Sequence, residues 1–145
     1  MSARLSSSWK CPKCSRAFAQ RNQRHACGTG DRREVLRGRS AGIVRLYASV
    51  EAFAKSLGPI ETVARERYVL LRTSRIFADL VIMLDAVRIA IHLRRRVQAP
   101  IFFKVSSERQ KVTHVAKLRT EQEFASVKPY LREAYELSLP AANLE

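Results

Sequence analysis

From Leu80 to Arg94 the chain reads as two strand-length runs about a turn, the second switching between apolar and basic or small residues, and that pattern limits the folds open to it more than any other feature. Leu80, Ile82 and Leu84 alternate with Val81, Met83 and Asp85. After a turn at Asp85-Ala86, Ile89, Ile91 and Leu93 alternate with Arg88, Ala90, His92 and Arg94. Successive side chains of a strand point to opposite faces, so the second run has one apolar and one basic face, as a half-buried antiparallel strand does. A membrane helix over Ile76 to Leu93 is the competing reading. It would set Asp79, Asp85 and Arg88 in the bilayer, each at about 2.5–3.5 kcal/mol near its centre, and would leave the alternation unexplained.

An apolar sheet face needs cover, and the flanking segments supply it. Ile43, Tyr47, Val50, Phe53, Ala54 and Leu57 recur at three and four, one stripe of an amphipathic helix that Gly58-Pro59 stops. Ile60 to Ala64 and Tyr68 to Arg72 predict strands around a Glu66-Arg67 turn, and Ile101 to Val105 and Val112 to Leu118 predict two more. Thr120 with Glu123 makes a capping box for a short helix to about Val127. Pro129 is expected to start a last helix, with Leu131, Ala134, Tyr135 and Ser138 on one face and Arg132 beside Glu136, before Pro140 ends it. The order of helix, strands, then helices predicts an α+β fold: an antiparallel β-sheet with helices packed on one face.

The N-terminal part asks for a different chemistry. Cys11-Pro12-Lys13-Cys14 puts two thiolates on one tight turn, and His25 with Cys27 completes a tetrahedral set for zinc, the ligand type of closed structural sites. Trp9 and Phe18 are placed to cover the metal. A redox dithiol fits poorly, because that chemistry wants the first Cys at a helix start behind a buried strand, and Ser6-Ser7-Ser8 precede Trp9. Three cysteines in one segment cannot all pair as disulfides. The short His25-to-Cys27 spacing is not that of a finger with a base-reading helix. The expected organisation is a tail over residues 1–8, a zinc knuckle over 9–29, a polar linker over 30–41 that buries nothing, and the α+β domain over 42–140.

Charge then narrows function. The 145-residue chain carries a formal +14, of which +8 falls in residues 1–40, with ten Lys and Arg against Asp31 and Glu34. Lys10, Lys13, Arg16, Arg21 and Arg24 surround the predicted metal, while Arg88, His92, Arg94 and Arg96 form a cationic stripe on the sheet, with Lys104 and Lys117 as neighbours. Guanidinium forks suit phosphates and carboxylates; the competing reading is a solvated face whose charges block edge-to-edge aggregation. No nucleophile sits beside a base, no carboxylates pair and no Gly-rich phosphate loop is present, so a non-enzymatic role is expected. Asp79 and Asp85 are read as turn residues, and His114, alongside Val112, Ala116 and Leu118, as a core histidine. The leading expectation is a zinc-containing module that binds nucleic acid through phosphate contacts. The alternative is a domain for an anionic small molecule or a protein partner. Met1 to Lys10 has no apolar run, so a cytoplasmic protein is expected.

Several short motifs place the chain beside a known group. Trp9-Lys10-Cys11-Pro12-Lys13-Cys14 with Phe18, the run Asn22 to Cys27, Leu57-Gly58-Pro59, Arg75-Ile76-Phe77-Ala78, His114 to Leu118 and Arg132-Glu133-Ala134-Tyr135 resemble a bacterial family of domains of unknown function. Its members often begin with a small zinc knuckle. Ser15 departs from the glycine expected after the second Cys but leaves each ligand in place. The resemblance implies an α+β fold and no agreed activity.

Overall fold

The computed structural model describes residues 9–10, 12, 17–22, 32–65 and 68–140. A two-stranded antiparallel pair comes first, β1 (Trp9–Lys10) with β2 (Ala17–Phe18), Trp9 opposite Phe18. Helices α1 (Arg32–Val35) and α2 (Ala41–Leu57) precede strands β3 (Glu61–Arg65), β4 (Tyr68–Arg72), β5 (Ile76–Ile82), β6 (Val87–Leu93), β7 (Phe102–Glu108) and β8 (Lys111–Leu118), and helix α3 (Glu121–Ser138) closes the fold. The six-stranded sheet has the order β3-β4-β5-β6-β8-β7, and every neighbouring pair is antiparallel. The chain is thus α+β, and among the described residues no helix is long and apolar enough to cross a membrane.

Register explains the alternation. Ile82 lies opposite Val87, Leu80 opposite Ile89 and Ala78 opposite Ile91, while Leu118, Ala116 and His114 of β8 meet Val87, Ile89 and Ile91 from the other side. All are buried, on the face that packs with α2 and α3. Burying a side chain of the Val, Leu, Ile or Phe kind contributes about 1.5–3 kcal/mol, so this layer carries the fold. The first apolar run ends earlier than its pattern predicts. Met83 N–H donates to the Ala86 carbonyl (2.9 Å), a turn that begins two residues before Asp85, and it leaves Leu84 74% exposed.

α2 starts where Ser40 caps it, its hydroxyl accepting from Ile43 N–H at 3.2 Å, and it buries Ile43, Leu46, Tyr47, Val50 and Ala54. The stretch expected to bury nothing packs instead. Val35 of α1 is 1% exposed within the core, Leu36 packs beside it, and Arg39 Nη2 donates to the Ile82 carbonyl at 3.1 Å. A single helical turn is too short for periodicity to reveal.

The expected pair of C-terminal helices is one helix. Thr120 Oγ1 accepts from Glu123 N–H (3.0 Å), and the Glu123 carboxylate takes the Arg119 N–H, so the cap is as predicted. The helix then runs through Pro129. Proline there removes the bond to the Ala125 carbonyl, but Ala125 and Pro129 both face solvent, so water can take that carbonyl. Meanwhile Phe124, Val127, Leu131, Ala134 and Tyr135 stay on one buried stripe across the break. Pro129→Ala should restore the bond and stabilise the domain by about 1–2 kcal/mol, read as a higher urea midpoint at unchanged slope; a lower midpoint would show that the ring packs usefully.

Candidate functional site

Among the described residues no helix covers the second face of the sheet. That face pairs Val63 with Leu70, Leu70 with Asp79, Asp79 with Ala90 and Ala90 with Val115, and its side chains stand outside the core cluster. Arg88 and Lys117 face each other across β6 and β8, and Lys104 on β7 lies opposite Val115. A bulge between Phe102 and Lys104 turns Phe102 into the core and leaves Phe103 55% exposed, with Lys117 Nζ 5.6 Å from its ring centroid. The result is a mixed surface of basic heads over a partly apolar floor, with Phe103 as its exposed aromatic.

At one end of this face three polar groups meet. His92 Nδ1 is 3.1 Å from Thr113 Oγ1, and its Nε2 is 4.0 Å from Asp79 Oδ2. Burial, then the Lys111 charge, pushes the imidazole down to about 4, so His92 is neutral at physiological pH. Burial also raises the Asp79 carboxyl, against the opposing pull of Arg88 and Lys111. Asp79 is therefore not a turn residue; it sits inside β5, and only the register of β5 on β6 brings it to His92. A neutral imidazole fixed by a hydroxyl can donate or accept a hydrogen bond, and it supplies no charge to hold an anion.

The predicted stripe ends sooner than alternation implies. β6 stops at Leu93, and the three arginines that follow separate. Arg94 turns into a cleft of about 120 Å³ at the C-terminal end of α3, lined also by Arg75, Phe77, His92, Lys111 and Leu137. Arg95 makes a bidentate pair with Glu133 of α3 (3.0 and 2.9 Å), and Arg96 Nη2 donates to Ser107 Oγ at 3.0 Å. Strand alternation holds only while the ladder lasts, so sequence could not separate them. Lys111 and Thr113 were missed because strand order brings β8 to β6, Asp79 because the β5–β6 register sets it near His92, and Arg75 because a bond to the Leu137 carbonyl holds it at the cleft.

His114 stands apart from both surfaces. It is 0% exposed, accepts from Val97 N–H at Nε2 (2.9 Å) and holds Nδ1 3.2 Å from the Val112 carbonyl. This is the core histidine the strand pattern predicts. Of the N-terminal residues, Lys10 and Arg21 are exposed, while Cys11, Cys14, His25 and Cys27, with Lys13, Arg16 and Arg24, lie outside the described residues. Among the described residues no cluster of His, Cys, Asp or Glu could hold a metal.

The family described as Domain of unknown function (DUF5655) matches residues 33–138, a span that begins within α1 and ends with α3. No curated protein and no solved structure matches the chain.

Proposed function

Because the chain belongs to the DUF5655 family of domains of unknown function, a membership that assigns no activity, function has to be read from the surfaces, and we propose a non-enzymatic, zinc-containing module that binds nucleic acid through phosphate contacts. One observation carries this reading: the sheet face left uncovered among the described residues presents Arg88, Lys104 and Lys117, with Lys117 against the ring of an exposed Phe103. Cations at strand spacing suit a polyanion, and a ring among them offers a base something to stack on. The surplus of +8 in residues 1–40 adds Lys10, Lys13, Arg16, Arg21 and Arg24 as further phosphate contacts. Zinc on Cys11, Cys14, His25 and Cys27 would tie the two halves of the predicted knuckle together, and the antiparallel strands β1 and β2 flank the first two ligands in the chain. The metal's part is structural, since four protein ligands leave no open position.

The test is fluorescence anisotropy of the zinc-loaded full chain with single-stranded and duplex oligonucleotides across a salt series. Affinity should fall with a log-log slope of about 0.7–0.9 per phosphate contacted. Lys104→Glu/Lys117→Glu should flatten that slope by roughly two contacts. Elemental analysis of the same protein should give one zinc per chain, lost in Cys27→Ala. Affinity weaker than about 100 μM near physiological salt for both probes would end the nucleic-acid reading.

A further inference from the structure

The cleft beside the end of α3 differs in kind from the open face. Its cations, Arg75, Arg94 and Lys111, converge on a space of about 120 Å³, and none of its lining residues is acidic. Its accessible apolar lining is Ile76, 37% exposed, and the half-buried Leu137, over the buried Phe77 and Leu93. A solvated charge patch has no need of such a lining.

The C-terminal end of a helix would ordinarily repel an anion, because its last carbonyls are unpaired and point outward. Here they are occupied. Arg75 Nη2 donates to the Leu137 carbonyl at 3.3 Å, and the hydroxyls of Thr73 and Ser74 donate to the Ser138 carbonyl at 2.9 and 2.8 Å. The same bond holds Arg75 at the cleft and leaves the rest of its fork free for a ligand. Arg94 is free of Glu133, which Arg95 takes.

We propose that this cleft is a binding site for a small amphipathic anion, its carboxylate or phosphate head held by Arg75, Arg94 and Lys111 and its compact apolar body laid on Ile76 and Leu137. Size sets the class. A cavity of about 150 Å³ admits benzene; this cleft, about 120 Å³ and open to solvent, has room for a head group with a single ring or a short branched chain. His92, neutral at its edge, adds a hydrogen bond and no charge. The site is independent of the nucleic-acid reading and stands or falls on different probes.

The experiment is isothermal titration of the full chain with benzoate and with phenyl phosphate, with inorganic phosphate and benzyl alcohol as controls. Saturable binding of at least one of the two aromatic anions is expected, and the tighter one identifies the head group. Arg94→Glu/Lys111→Glu, both exposed and so compatible with folding, should weaken it at least about tenfold, while Arg45→Glu/Arg119→Glu, both exposed and outside the cleft, leaves it unchanged. No saturation by about 10 mM of either ligand, unchanged affinity in the Arg94→Glu/Lys111→Glu variant, or inorganic phosphate binding as tightly as both aromatic anions would each overturn the proposal. Oligonucleotide binding in the same variants is read separately, so loss of one activity does not mimic loss of the other.

Discussion

Gly58→Ala is expected to destabilise the domain by about 3 kcal/mol, lowering its melting temperature by about 10–20 °C. A Cβ at this position would fall on the Tyr135 hydroxyl and lie 3.0 Å from Tyr135 Cζ. The backbone φ of 154° is also one that side-chain-bearing residues seldom adopt. Tyr135 cannot simply turn away. It is 8% exposed, and its ring meets Phe77 edge-on at 5.7 Å, so moving it opens the layer between α3 and β5. Gly58→Ala/Tyr135→Phe removes the colliding oxygen and should recover part of the loss, leaving the Cζ contact and the φ strain. Thermal melts and urea titrations of the two variants measure this; a Gly58→Ala midpoint within experimental scatter of wild type would mean that the turn after α2 relaxes freely. Gly58 and Tyr135 belong to two motifs that are far apart in the chain, Leu57-Gly58-Pro59 and Arg132 to Tyr135, yet they form one contact.

That contact illustrates which parts of the fold local sequence could reveal. β6 was legible because its alternation is driven by one buried and one wet face, a property each residue carries itself. β4 and the Thr120 cap were legible for similar reasons. Strand order is not of this kind. Nothing in residues 102–118 states that β8 inserts between β6 and β7, and that insertion is what sets Thr113 on His92 and Lys111 beside Arg94. The passage of α3 through Pro129 was illegible because it depends on which side of the helix meets water. Of the cleft's cations the strand pattern singles out Arg94 alone, and it sets Arg94 with Arg96 by an alternation that ends at Leu93. The second face shows the converse. Val63, Leu70, Val81 and Val115 give its strands apolar character on both sides, so periodicity alone could not tell that one side lacks a helix among the described residues.

His114→Ala should cost about 3 kcal/mol near neutral pH, and the cost should shrink as the solution is acidified. β7 lies beyond β8 at the sheet edge, so the connection from Leu93 to Phe102 must cross the end of β8. Val97 is buried in that connection, and its N–H goes to His114 Nε2 rather than to a backbone carbonyl. Truncating the ring leaves that donor buried without its acceptor and also removes the contact with Phe102 at 5.1 Å between centroids. The acceptor role requires a neutral ring with its proton on Nδ1, facing the Val112 carbonyl. Burial holds the His114 pKa below its ordinary value, outweighing hydrogen bonds to the Val112 and Ile91 carbonyls, with Arg96 and Arg95 pushing the same way as burial. The unfolded chain therefore binds a proton near pH 6.5 that the folded chain takes up only at lower pH. Stability is complete above about pH 6.5 and erodes as pH falls; His92, lowered to about 4, has the same sign. Asp79, raised by burial, has the opposite sign and offsets part of the loss once pH reaches the carboxylate range. Urea midpoints of wild type and His114→Ala, compared at pH 7.5, 6 and 5 across the imidazole range, should converge as pH falls. Parallel profiles with a constant gap would assign the acid sensitivity to His92 instead, and His92→Gln would then flatten the profile.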